Sequence, residues 1–181
     1  MSNQARPRTR HRTRPQQSRG AAPVGVMAEL PPVEAAAIQY LRLWFSGKQG
    51  KIWRDFHNHL DQKSAKRAMA LLEDLMRAVQ LHARRPLMRH SDHCECFGGD
   101  ECAFAHFVGA ASSGENHDAM TFGLHLFDAD YAENIMKSAS DCGLMFLNMA
   151  GLQLPPLARY QAARSKKPPH TPTHPMPKTR Q

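Results

Sequence analysis

Apolar residues recur at three- and four-residue spacing through the middle of the chain, and turn-forming residues cut that pattern into a series of amphipathic helices. The first helix opens at Pro31-Pro32, because proline is tolerated in a first turn and Glu34 suits the positive helix end. It runs for about a dozen residues, with Val33, Ala37, Tyr40, Leu41, Trp44 and Phe45 on one face. Gly47 and Gly50 break the pattern, and Ile52, Trp53, Phe56 and Leu60 mark a short second helix. His57 and His59 stand two apart on that helix and so point to different faces, which argues against a shared metal.

Asp61 is a good N-cap for the longest helix, predicted over 62–85, whose stripe is Ala65, Ala68, Met69, Leu72, Leu75, Met76 and Val79. His82 continues that stripe, and Arg85-Pro86 ends the helix because the residue before proline avoids helical backbone angles. A fourth helix of about ten residues should begin at Gly99 or Asp100 and stop near Ser112-Ser113-Gly114. Asn116, His117 or Asp118 caps a fifth, with Met120, Leu124 and Phe127 apolar. Asp128 or Asp130 starts a sixth that carries Tyr131, Ile135 and Met136 and is expected to stop near Gly143. Periodicity leaves Leu144-Met145-Phe146-Leu147 unassigned, and Pro155-Pro156 closes the series. The expectation is an all-α, compact bundle of five to six short-to-medium helices. Its apolar faces can be consumed in one core or shared with a second copy.

Charge adds the boundaries. Residues 1–20 carry six arginines and no acid, and residues 159–181 carry six lysines and arginines and no acid. Residues 21–158 hold the other twelve bases with all sixteen acids, a formal charge of −4 against +8 for the whole chain. The basicity therefore belongs to the ends. Their Pro-, Gln-, Ser- and His-rich composition predicts a disordered arm over 1–28 and a disordered tail over 159–181, flanking a helical domain at 29–158. Met27 offers an alternative start, in which case residues 1–26 are not translated in the native protein.

No apolar run approaches the roughly 18 to 20 residues of a membrane-spanning helix, so no membrane association is expected. The basic N-terminus lacks the apolar stretch of a signal peptide, which makes a cytoplasmic location the default. In a reducing compartment, clustered cysteines bind metal or do redox chemistry more often than they form structural disulfides.

The candidate chemistry is concentrated in residues 90–106, where His90, His93, Cys94, Cys96, Cys102 and His106 fall within seventeen positions. Thiolate and imidazole are the donors zinc prefers, and thiolates also hold iron–sulfur clusters, so both cofactors stay open. Phe97-Gly98-Gly99 gives a flexible turn between the close pair Cys94/Cys96 and the next helix. Cys102 in that helix's first turn should be favoured as a thiolate, with His106 four residues on and on the same face. The expected metal set is Cys94, Cys96, Cys102 and His106, with His90, His93 and Cys142 as alternates for the fourth place. Glu95, Asp100 and Glu101 read as a solvated loop with a capping residue.

The sequence has no Walker loop, GxGxxG, GxSxG or HExxH motif, and no catalytic residue can be named. The leading expectation is a small, non-enzymatic metal-binding protein that acts through a protein partner, its Cys/His site serving structure or metal and redox sensing. The second is a nucleic-acid-associated protein anchored by its basic ends. A metal-dependent redox enzyme is the third.

Overall fold

A computed structural model of the chain describes residues 19–151. Six helices form the bundle: α1 (Pro32–Phe45), α2 (Gln49–His59), α3 (Gln62–His82), α4 (Gly99–Ser113), α5 (Asn116–Leu126) and α6 (Ala129–Met149). Two short strands, β1 (Pro23–Val26) and β2 (Cys96–Gly98), pair antiparallel beside it. No helix among the described residues is long and apolar enough to cross a membrane.

Helix α4 is the most buried, because small residues let its neighbours approach on several sides. Ala103, Phe104, Phe107, Val108, Ala110 and Ala111 all lie in the main core. Gly143 of α6 sits so close to α4 that an added Cβ would fall 2.5 Å from Ser112 Cβ. Gly123 of α5 leaves room for the Phe107 ring in the same way, at 3.1 Å. The remaining core is the stripe of α3 (Ala65, Ala68, Leu72, Leu75, Met76, Val79) against Tyr40, Leu41, Ile52, Phe56, Ile135, Ala139, Cys142 and Phe146.

Local signals place most helix ends. The Asp61 carboxylate accepts from the backbone N–H groups of Lys63 (2.9 Å) and Ser64 (3.2 Å), capping α3. Gly114 ends α4 at φ 77°, a left-handed position that glycine takes without steric cost.

Four expectations change. Helix α3 stops at His82, three residues before the predicted end at 85, because Ala83 bridges to Phe127 and Arg84 N–H donates to Leu126 O at 3.0 Å. Gly143 does not stop α6; it is a packing glycine inside a 21-residue helix that takes in Leu144–Leu147. The buried stripe of α5 is Ala119, Gly123 and Leu126, while Leu124 is exposed. The predicted disorder over 1–28 fails for its last part, where Arg19–Ala21 makes a 3₁₀ turn and β1 follows. The register that defeats it is Pro23 to Gly98, Gly25 to Phe97 and Val26 to Cys96, a pairing at a distance that local composition does not report. Residues 1–18 and 152–181, including the predicted tail and Pro155-Pro156, lie outside the described residues.

Candidate metal centre

The stretch 90–106 divides where α4 begins. Residues 83–95 are loop, β2 carries Cys96, and Gly98 is the N-cap of α4. His90, Cys94 and Cys96 come together in the loop half, with one donor atom from each lying within 4.8 Å of the others. Such a His/Cys group could hold a metal ion with its thiols free; in this structure the sulfurs of Cys94 and Cys96 are joined as a disulfide.

The contacts of His90 fix the direction of its ring. Nε2 lies 2.8 Å from the Ala21 carbonyl oxygen, which can only accept, so Nε2 carries the proton. Nδ1 lies 3.1 Å from Cys96 Sγ and 3.2 Å from Cys96 O. A ring held through one nitrogen by a backbone carbonyl, with the other aimed at sulfur, is the usual arrangement of a metal-ligating histidine.

A buried ion pair positions the loop. Arg42 is 1% exposed and Glu101 fully buried. Nε of Arg42 donates to Glu101 Oε1 at 2.6 Å, and its Nη2 donates to Oε2 at 2.9 Å. The same guanidinium donates to the carbonyls of both site cysteines, Cys94 O and Cys96 O, each at 2.7 Å. Glu101 accepts further from Gly98 N–H (2.9 Å) and His90 N–H (3.0 Å). Burial by itself raises the pKa of Glu101, but the bonds from Arg42, Gly98 and His90 outweigh it and hold the carboxyl below the usual glutamate value.

Asp100 does similar work one residue earlier. Arg85 grips it with two bonds of 2.5 and 2.7 Å, and Met88 N–H donates to it at 2.8 Å. Burial raises its pKa and these donors lower it further than burial lifts it. Lys48 pairs with Asp92 at 2.7 Å on the rim. Asp100 and Glu101, expected in a solvated loop, are therefore buried and organise the site.

The other predicted ligands stand apart. Cys102 is the fourth residue of α4 and packs with Ile38, Phe97 and Ala105. Burial, followed by the charge of Glu34, raises its pKa, the reverse of the thiolate expected at a helix start. His106 lies over Glu34 of α1, with Nδ1 3.2 Å from Glu34 Oε2. That carboxylate oxygen is buried without a well-directed hydrogen bond. His93 is 79% exposed beside Asp92, at 3.7 Å. Cys142 is sealed in the core, where burial, then Asp141 and Asp74, push its thiol up to about 12. Among the described residues, His57, His59 and His82 join no metal group; the first two return to backbone carbonyls four residues back, and His82 stacks on Tyr131.

Arg42 and Glu101 were not singled out from the sequence as parts of the site. One signal was present: Arg42 interrupts the apolar run Tyr40-Leu41-Arg42-Leu43-Trp44 on a face that otherwise faces the core. A lone charge there calls for a buried partner.

No family model matches this chain, and neither curated proteins nor solved structures match it, so the chemistry of the residues carries the functional reading.

Proposed function

We propose that this is a non-enzymatic metal-binding regulatory or interaction protein whose His90–Cys94–Cys96 site is gated by oxidation. As a dithiol, the site offers one imidazole nitrogen and two thiolates to a thiophilic divalent cation of the zinc type. As a disulfide, it offers only the imidazole. The single observation that carries the reading is the His90 ring, tied to Ala21 O through Nε2 and aimed at Cys96 Sγ through Nδ1.

Three further points support it. A disulfide that closes a loop of one intervening residue removes little chain entropy, so it is a poor structural staple. The buried guanidinium of Arg42, bonded to both cysteine carbonyls, holds the backbone of the two cysteines in place beside His90. Cys102 and Cys142 lie elsewhere, so the four thiolates of the common iron–sulfur clusters are not assembled, which favours a single ion.

The chemistry balances with a thiol reductant. Two electrons and two protons from the reductant convert Cys94–Cys96 to two thiols while the reductant becomes a disulfide. Coordination of a divalent cation then displaces the two thiol protons. A water or a partner's side chain completes the fourth position.

The test is a zinc titration of full-length protein reduced by a phosphine under nitrogen, beside the oxidised protein. One equivalent should bind to the reduced form and none to the oxidised form, and Cys94→Ser, Cys96→Ser or His90→Ala should remove tight binding. A reduced wild-type protein that is folded and takes up no metal overturns the reading. A visible charge-transfer spectrum after iron and sulfide reconstitution would assign a cluster instead.

The segregation of charge favours a second reading, in which the basic ends anchor the protein to nucleic acid. Full-length protein should then bind DNA or RNA with an affinity that falls steeply with salt, and replacing Arg6, Arg8, Arg10, Arg12 and Arg14 by Gln should flatten that dependence. Equal binding by both proteins removes the N-terminal arginines from the reading.

A further inference from the structure

The segment before α1 touches the metal centre at several points. Ala21 O accepts from His90 Nε2, Val26 pairs with Cys96, and Met27 N–H donates to Glu95 O at 2.7 Å. Its seating depends on glycines. A Cβ on Gly20 would fall 2.5 Å from the Asp100 carboxylate, and one on Gly25 would fall 2.6 Å from the Phe97 ring. A Cβ on Gly98 would fall 2.7 Å from Gly20 O. Met27 and Leu30 then close over Ile38, Phe97 and Ala105.

No residue of this segment contributes a donor atom to the His90–Cys94–Cys96 group, yet one of its carbonyls holds the ligand ring. Among the described residues, that carbonyl is the partner of His90 Nε2. If the segment lifts away, the ring loses the bond that fixes its orientation toward Cys96.

We propose that residues 20–29 are a positioning strap for the Cys/His site: the docked Ala21 carbonyl orients His90, so strap docking and zinc binding are coupled. This rests on the reading that the reduced site binds a zinc-type ion. Loss of an outer partner of a metal-ligating histidine typically weakens the metal about 10- to 100-fold. Coupling is reciprocal, so bound zinc strengthens strap docking by the same factor.

The experiment uses the full-length, phosphine-reduced protein. Zinc affinity is measured by competition with a chromophoric chelator, and strap docking by hydrogen exchange of the Met27 amide. Gly25→Ala forces the strap off Phe97 and should speed Met27 exchange and weaken zinc about 10- to 100-fold, with the melting of the metal-free helical core unchanged. Gly25→Ala combined with Phe97→Leu, which shortens the obstructing side chain, should restore both. Zinc should slow Met27 exchange in the wild type. If Gly25→Ala leaves the strap docked, Gly20→Val, aimed at the Asp100 carboxylate, takes its place. A variant whose strap is free but whose zinc affinity equals wild type overturns the coupling and leaves the metal reading standing. Absence of zinc binding by the reduced wild type overturns both.

Discussion

Both halves of residues 90–106 carry histidine and cysteine, four such residues before Gly99 and two after it, and the fold uses them differently. Residues 90–98 form loop and a short strand, in which His90, Cys94 and Cys96 converge. Residues 99–106 are helix, and there Cys102 and His106 face α1. The backbone separates them. A loop can fold side chains from residues two and six apart onto one point, whereas a helix holds Cys102 and His106 to the direction its axis dictates. That direction leads to Ile38 and Glu34. Two residues at the boundary, Asp100 and Glu101, serve the loop half from the helix half by reaching back to Met88, His90 and Gly98.

The largest break in this comparison is Glu101→Ala. It leaves the Arg42 guanidinium buried without its carboxylate and frees the N–H groups of His90 and Gly98. Removing one partner of a buried ion pair costs about 3–5 kcal/mol. Denaturant unfolding should show a loss of that size, together with loss of zinc uptake by the reduced protein.

Acid acts on the same contacts more gradually. The folded-state pKa values of Glu101 and Asp100 lie below their ordinary values of 4.5 and 3.8. Their stabilisation is therefore complete above those ordinary values and is lost as pH falls through the lower folded values. A circular dichroism titration should show stability level near neutrality and falling below about pH 4.5. Amides of β1 and β2 should lose protection before those of α3, and loss of α3 first would show that these carboxylates do not act mainly on the loop half.

Thiol reactivity sharpens the comparison without disturbing the fold. In reduced, metal-free protein at mildly alkaline pH, alkylation followed by mass spectrometry should label Cys94 and Cys96 first and Cys102 more slowly. Cys142, buried and shifted to about 12, should react only after unfolding. The smallest expected effect separates the halves most directly. Cys102→Ser and His106→Ala should leave zinc affinity unchanged, and a loss in either would bring the helical half back into the site.

Much of the bundle was legible because helices report on themselves locally. Pro32 at the start of α1, Asp61 at the cap of α3 and Gly114 at the end of α4 act within one turn, and the α3 stripe repeats often enough to leave no ambiguity. Gly143 misled because a glycine that ends a helix and one that admits a neighbouring helix read alike. Only Ser112, thirty-one positions away, distinguishes them. The strand at 23–26 was illegible for the same reason, since it pairs with a partner seventy or more positions distant.

Cys94, Cys96 and His90 were all candidates from spacing and donor chemistry alone. What spacing cannot supply is direction. Sequence distance along one helix made Cys102 and His106 look like partners of Cys94 and Cys96, but α4 turns them toward α1.

Sequence by itself therefore determined the helical class, most helix positions and a short list of candidate metal ligands, because those depend on local periodicity, capping and donor chemistry. The tertiary structure decided which candidates meet, through contacts between distant residues: Arg42 drawn into the core by Glu101, and His90 held by a carbonyl sixty-nine positions before it.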